Sequence, residues 1–227
     1  DPTILNKARI MKKINWKMAT YMLATLFTLN FTACSSDDDG DKDDNGNANG
    51  LIDKMSTEEQ LLVGKWTAGG NPLYLYSDKT CQTPDGNKGT YTFNSETKEL
   101  ITTSGWGIRI VKSLDETTMV LQGVQTTKVW TFTKQTGFID THAEELLPGK
   151  WKNVTKPEVS LMLYRNTYAL YEGTTIVDKG SWKKDNNYLL FGDSQLETVI
   201  TYLDCSKLIL NNAKGGQQFA GTYKRDL

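Results

Sequence analysis

The sequence predicts an all-β protein: two tandem small antiparallel β-barrel or meander domains, each opened by a short helix, behind an N-terminal tether expected to be disordered. Two observations predict it. The first is an internal repeat, the sequence signature of a duplicated structural unit. Glu59-Gln60-Leu61-Leu62-Val63-Gly64-Lys65-Trp66 returns as Glu144-Glu145-Leu146-Leu147-Pro148-Gly149-Lys150-Trp151. Further on, Leu73-Tyr74-Leu75-Tyr76 returns as Leu161-Met162-Leu163-Tyr164, Lys88-Gly89-Thr90-Tyr91 as Lys179-Gly180-Ser181-Trp182, and segment 114–121 as segment 203–210. Thr131-Phe132 and Thr222-Tyr223 close the two halves. The second observation is strand-like patterning within each half. Ile108 and Ile110 alternate with Arg109, and Tyr91 and Phe93 with Thr92. The turns between such runs are Asn94-Ser95, Asp115-Glu116, Asp185-Asn186-Asn187 and Asn211-Asn212. This spacing gives about six or seven strands per unit, mostly in hairpins.

Each unit opens with a helical turn. Ser56-x-x-Glu59 has the capping-box spacing ahead of Leu61-Leu62, and Thr141-x-x-Glu144 repeats it ahead of Leu146-Leu147. Gly64, Pro148 and Gly149 then stop the helix and start a strand carrying Trp66 or Trp151. A domain of about 80 residues buries only about 60–65% of its unfolded surface, and an internal cavity would remove packing it needs. Both tryptophans are therefore expected to plug one end of a small barrel rather than touch a ligand. Each repeat, 56–136 and 137–227, is expected to fold as an independent unit.

The N-terminus reads as an address. Lys12, Lys13 and Lys17 precede an apolar run from about Ala19 to Phe31. That run is about a dozen residues, short of the roughly 20 that span a bilayer. Met11 is the natural start, which leaves residues 1–10 upstream, 11–33 as a signal peptide and 34–55 as a tether. Phe31-Thr32-Ala33-Cys34 resembles the bacterial lipobox, which implies lipidation of Cys34. Ser35-Ser36-Asp37-Asp38-Asp39-Gly40 resembles the acidic tether of Bacteroidetes surface lipoproteins. Together these imply a lipid anchor at the outer membrane, on its extracellular face, with the periplasmic face as the alternative. Asp41-Lys42-Asp43-Asp44-Asn45-Gly46 matches the first half of a calcium-binding EF-hand loop, but Ile52 stands where the twelfth-position Glu belongs. The segment is read as tether, and no metal is predicted.

A short helix, Gly-x-Trp on the first strand and an antiparallel meander resemble the lipocalin family. More closely, they resemble the lipocalin-like domains of Bacteroidetes lipoproteins. The motif Leu-x-Gly-Lys-Trp (Gly64, Trp66; Gly149, Trp151), the later Lys-Gly-Thr-Tyr and the 114–121 segment carry the resemblance, over roughly 56–136 and 141–227. It implies a barrel fold and a binding role.

The inventory narrows the chemistry. Lys+Arg 26 against Asp+Glu 27 leaves no field to attract nucleic acid. The single histidine, His142, sits in the connector between the repeats, and nothing else could activate Cys81 or Cys205 as a nucleophile. These two cysteines occupy non-equivalent places in the repeats and are expected to be separate thiols. Glu58-Glu59 and Glu144-Glu145 fall in first helical turns, where they suit the helix dipole. No catalytic residues and no cofactor are predicted. Tyr74, Tyr76, Tyr164, Tyr168 and Tyr171 lie on strands and offer a possible outward binding surface. The expected role is a non-enzymatic binding or scaffold module, with an outer-membrane protein, a glycan or a small apolar ligand as candidate partner. A carrier holding a small hydrophobic ligand inside a barrel is the alternative, and a secreted hydrolase with acidic catalysts ranks last.

Overall fold

The computed structural model describes residues 51–226. Cys34, the signal segment and the half-loop at 41–46 lie outside them. A 3-10 turn at Ile52–Lys54 leads into α1 (Thr57–Leu62). The first barrel follows, built from β1 (Gly64–Thr67), β2 (Leu73–Leu75), β3 (Thr80–Gln82), β4 (Lys88–Asn94), β5 (Glu99–Thr102), β6 (Gly107–Leu114), β7 (Thr118–Gly123) and β8 (Val129–Lys134). After α2 (Ala143–Leu146) comes the second, built from β9 (Gly149–Asn153), β10 (Val159–Leu163), β11 (Thr167–Glu172), β12 (Thr175–Asp185), β13 (Tyr188–Phe191), β14 (Leu196–Leu203), β15 (Lys207–Lys214) and β16 (Gly221–Arg225).

Each barrel is an antiparallel meander that closes on itself, β8 pairing back to β1 and β16 to β9. Eight strands replace the six or seven expected. The extra ones are short: β2 and β3 have three residues each, too few for a period-2 pattern to show in sequence. Closure removes the sheet edges, and alternate residues point into the core. In the first barrel the interior is filled by Leu73, Leu75, Tyr91, Leu100, Met119 and Leu121, none more than 1% exposed.

The two helical openings differ. Ser56 and Glu59 form the capping box: Ser56 N–H donates to Glu59 Oε2 at 2.8 Å, and Glu59 N–H donates to Ser56 Oγ at 3.2 Å. The second box does not form. Asp140 lies just upstream and accepts the His142 N–H at 2.8 Å, so α2 starts one residue later than expected, with His142 as its N-cap. Both openings then turn through a glycine with positive φ, 149° at Gly64 and 133° at Gly149. At Gly64 a side chain would also run into Lys134.

The strand that follows brings Trp66 or Trp151 under the helix end, and both are fully buried. The Trp66 indole N–H donates to the Leu62 carbonyl at 2.8 Å, and that of Trp151 to the Leu147 carbonyl at 2.7 Å. Carbonyls left open at a helix C-terminus are thereby satisfied. A cation covers each ring: Lys134 at 5.2 Å from Trp66 and Arg225 at 4.1 Å from Trp151.

The two barrels pack against each other. Ile52, Met55, Val63 and Phe138 belong to the core cluster of the second barrel, and Tyr74 and Tyr76 of the first pack against it. Residues 51–55 are thus part of the packed structure rather than of a tether. Ser77 donates its N–H and its hydroxyl to the Asp140 carboxylate at 2.9 and 3.0 Å. The Lys134–Asp204 ion pair, 2.8 Å long, is almost fully buried between the barrels. Both cysteines are free and buried, with Cys205 Sγ 3.9 Å from Met55 Sδ. These contacts come from the helix-capped ends, which leaves the opposite rims away from the junction.

Candidate functional site

The rim of the first barrel opposite α1 is formed by the β1–β2, β3–β4, β5–β6 and β7–β8 turns. Strand pairing sets what points inward there. Val111 faces Leu121, Leu121 faces Trp130 and Met119 faces Phe132, so these side chains share the inner face. Two residues before Val111, Arg109 is also turned inward, opposite Gly123. Gly123 has no side chain to fill the space, and a Cβ there would meet the Thr126 hydroxyl and the Trp130 ring. From the β5–β6 turn, Trp106 sits between Gly105 and Gly107, both with positive φ. It lies edge-on to Phe132, with centroids 6.1 Å apart at 88°.

The result is a guanidinium beside two indoles. Arg109 lies 4.7 Å from the Trp106 centroid and 5.4 Å from that of Trp130. The Lys128 ammonium lies 5.3 Å from the Trp130 ring. Arg109 Nη1 donates to the Ile108 carbonyl at 2.9 Å, and Nε is buried without a partner. Burial pushes the guanidinium pKa down. Among the described residues no carboxylate pairs with it. Two concavities meet at Trp130. One, of about 360 Å³, is walled by Ile108, Arg109, Gly123 and Val124. The other, of about 190 Å³ and mostly apolar, is walled by Ala68, Pro84, Trp106 and Phe132. Ile108 and Val124 of these walls, and Ile101 and Val129 on the same barrel, are exposed apolar residues.

The second barrel lacks this arrangement. In the repeat register of the 114–121 and 203–210 segments, Trp106 corresponds to Gln195 and Arg109 to Thr198; at the closing strand Trp130 corresponds to Gly221. Its rim is filled instead by Phe219 of a 3-10 turn (Gln217–Phe219), stacked on Phe191 at 3.9 Å with Tyr168 edge-on to both. A third concavity, of about 270 Å³, lies at the junction of the barrels. Four of its charged residues pair, Lys134 with Asp204 and Lys224 with Glu116, and Lys207 lies over the Tyr202 ring.

The five tyrosines do not make one surface. Tyr74 and Tyr76 are half-buried and stacked, with Tyr76 5.7 Å from Phe138, so they lie under the second barrel. Tyr168 is 4% exposed and its hydroxyl donates to Asp178 at 3.0 Å. Tyr171 is half-buried, and Tyr164 is exposed. The acids Glu58 and Glu59 are held by Lys98 and Lys79 at 2.6 and 2.7 Å. Sequence reasoning missed Trp106, Arg109 and Trp130. The available signal was a tryptophan set between two turn glycines and absent from the repeat pattern.

Fold and site together define a double β-barrel with one tryptophan-walled mouth. In comparisons with known proteins, no family model, no curated protein and no solved structure matches the chain.

Proposed function

We propose that this protein is a non-enzymatic binding module of lipocalin-like type, anchored to the outer membrane through a lipid on Cys34, with the mouth of its first barrel as the binding end. One observation carries the reading: three large polar or aromatic side chains, Trp106, Arg109 and Trp130, converge on a mouth whose counterpart in the repeat is filled by the protein itself. A framework requirement would recur in both copies. Packed side chains in the barrel interior favour a rim site over a ligand held deep inside.

Two experiments test the two halves of this reading. In a host that processes lipoproteins, the full chain is expected to enter the detergent phase on phase separation, and Cys34→Ala to remain aqueous. Cys34→Ala in the detergent phase would refute the anchor. For the mouth, a neutral aryl probe, phenylnaphthylamine, is titrated by fluorescence. Trp130→Leu is expected to weaken its binding about ten-fold, the loss of one good aromatic wall. Equal affinity in a folded Trp130→Leu variant would move the binding site elsewhere.

A further inference from the structure

We propose that the ligand of the first barrel's mouth is a small organic anion on a flat apolar body, such as an aryl carboxylate or sulfonate, with Arg109 facing its charge and Trp106 and Trp130 its rings. The inference rests on the reading of the mouth as the binding end and names the ligand class that end would take.

The argument starts from the charge. Arg109 is partly withdrawn from water, and no carboxylate among the described residues neutralises it. Its one protein hydrogen bond is to the carbonyl of its neighbour Ile108, and its Nε–H has none. Charges placed in such surroundings are usually paired, because an unpaired one is costly to desolvate. The lining of both concavities contains no Asp or Glu. A second cation, Lys128, stands beside Trp130 and also lacks an ion-pair partner among the described residues. Among the described residues, the lining of the mouth therefore carries positive charge without a carboxylate to balance it, the rim acid Asp85 being held by Thr83 and Asn87, which favours an anion.

The geometry supplies the rest. The two indoles approach the guanidinium to 4.7 and 5.4 Å, and its N–H donors lie along its edge. Carboxylates and sulfonates dock on a guanidinium along that edge. Contact with both rings and the hydrogen bond to the Ile108 carbonyl also restrain the fork before a ligand arrives. Next to it, the apolar concavity between Trp106, Trp130 and Phe132 is bounded by ring faces and edges. A planar hydrocarbon body fits such walls better than a hydroxyl-rich one.

The test compares two probes of nearly the same skeleton on the full chain: anilinonaphthalene sulfonate, an anion, and phenylnaphthylamine, its neutral relative. The sulfonate is expected to bind at least about ten-fold more tightly, as a charge-assisted pair in a partly dry site implies, and to weaken with added salt. Arg109→Gln is expected to abolish the preference, leaving the affinities of the two probes within about two-fold of each other. Should Arg109→Gln fail to fold, the wild-type comparison of the two probes decides. If the neutral probe binds as tightly as the sulfonate and both depend on Trp130, the mouth stands and the anion is refuted. Should the sulfonate preference survive in folded Arg109→Gln, Arg109 is not its partner and the inference fails. If neither probe responds to Trp130→Leu, the mouth itself is the wrong site.

Discussion

Trp151→Ala is expected to lower the stability of the chain by about 3–5 kcal/mol, a large part of the about 5–15 kcal/mol a domain has. The ring is fully buried, its N–H satisfies the Leu147 carbonyl at 2.7 Å, and Arg225 stacks on it at 4.1 Å. Arg225 in turn donates to the carbonyls of Cys205, Pro148 and Leu146. Removing the indole thus opens a cavity, strands a carbonyl and loosens the guanidinium that ties the end of α2 to the last strand. Burial pushes Arg225 down to about 10, which still leaves it charged at neutral pH and costly to leave unsupported. Trp66→Ala removes the same arrangement beside Lys134 and is expected to cost a similar amount. Urea unfolding measures both. Because Ile52, Met55 and Val63 join the second barrel's core cluster and Tyr74 and Tyr76 of the first barrel pack against it, each variant should show one shifted transition. Two separate transitions, with only one displaced, would show that the junction does not couple the halves.

Lys134→Met is expected to cost about 3–5 kcal/mol, the usual penalty for leaving one member of a buried ion pair without the other. The Asp204 carboxylate is 1% exposed and collects the Lys134 ammonium and the Tyr202 hydroxyl on Oδ2, both at 2.8 Å. Its Oδ1 accepts from Ser206 N–H, Ser206 Oγ–H and Lys207 N–H. Tyr202 is kept protonated by burial and by this acid, so it remains a donor at any ordinary pH. With methionine at 134 the negative charge keeps its turn but loses its counter-charge. Adding Asp204→Leu should recover part of the loss, and the double-mutant cycle reads the coupling. Recovery would be incomplete, since Asp204 also caps the β14–β15 turn. A Lys134→Met variant with unchanged urea midpoint would mean that water reaches the pair.

The barrel architecture was legible in the repeat, because duplicated Gly-x-Trp strands and short β-branched runs are local signals. Ser56 and Glu59 were legible for the same reason, since a capping box spans four residues. The equivalent reading at Thr141 failed to a competitor, Asp140, whose importance comes from its contact with Ser77 some 63 residues away in sequence. The mouth was hidden by a parity problem. Alternation around Arg109 marks a strand but not which face is inside, and Ile108 and Ile110 suggest the wrong one. The deciding fact is register: Arg109 faces Gly123 while Val111 faces Leu121. Tyr74 and Tyr76 illustrate a different limit. They do leave the first barrel's interior, but the surface they reach is covered by the second, and no periodicity reports how two barrels dock.

Where the chain enters this pair of barrels has a mechanical consequence. Ile52 and Met55 are set into the second barrel's core cluster, beside the first barrel's helix. A pull on the upstream chain is therefore delivered first to the waist of the molecule, where the buried ion pair and the Tyr76–Phe138 contact resist it, at the end of the first barrel opposite the turns of the mouth. The point where the chain enters and the turns that form the mouth thus lie at opposite ends of the first barrel.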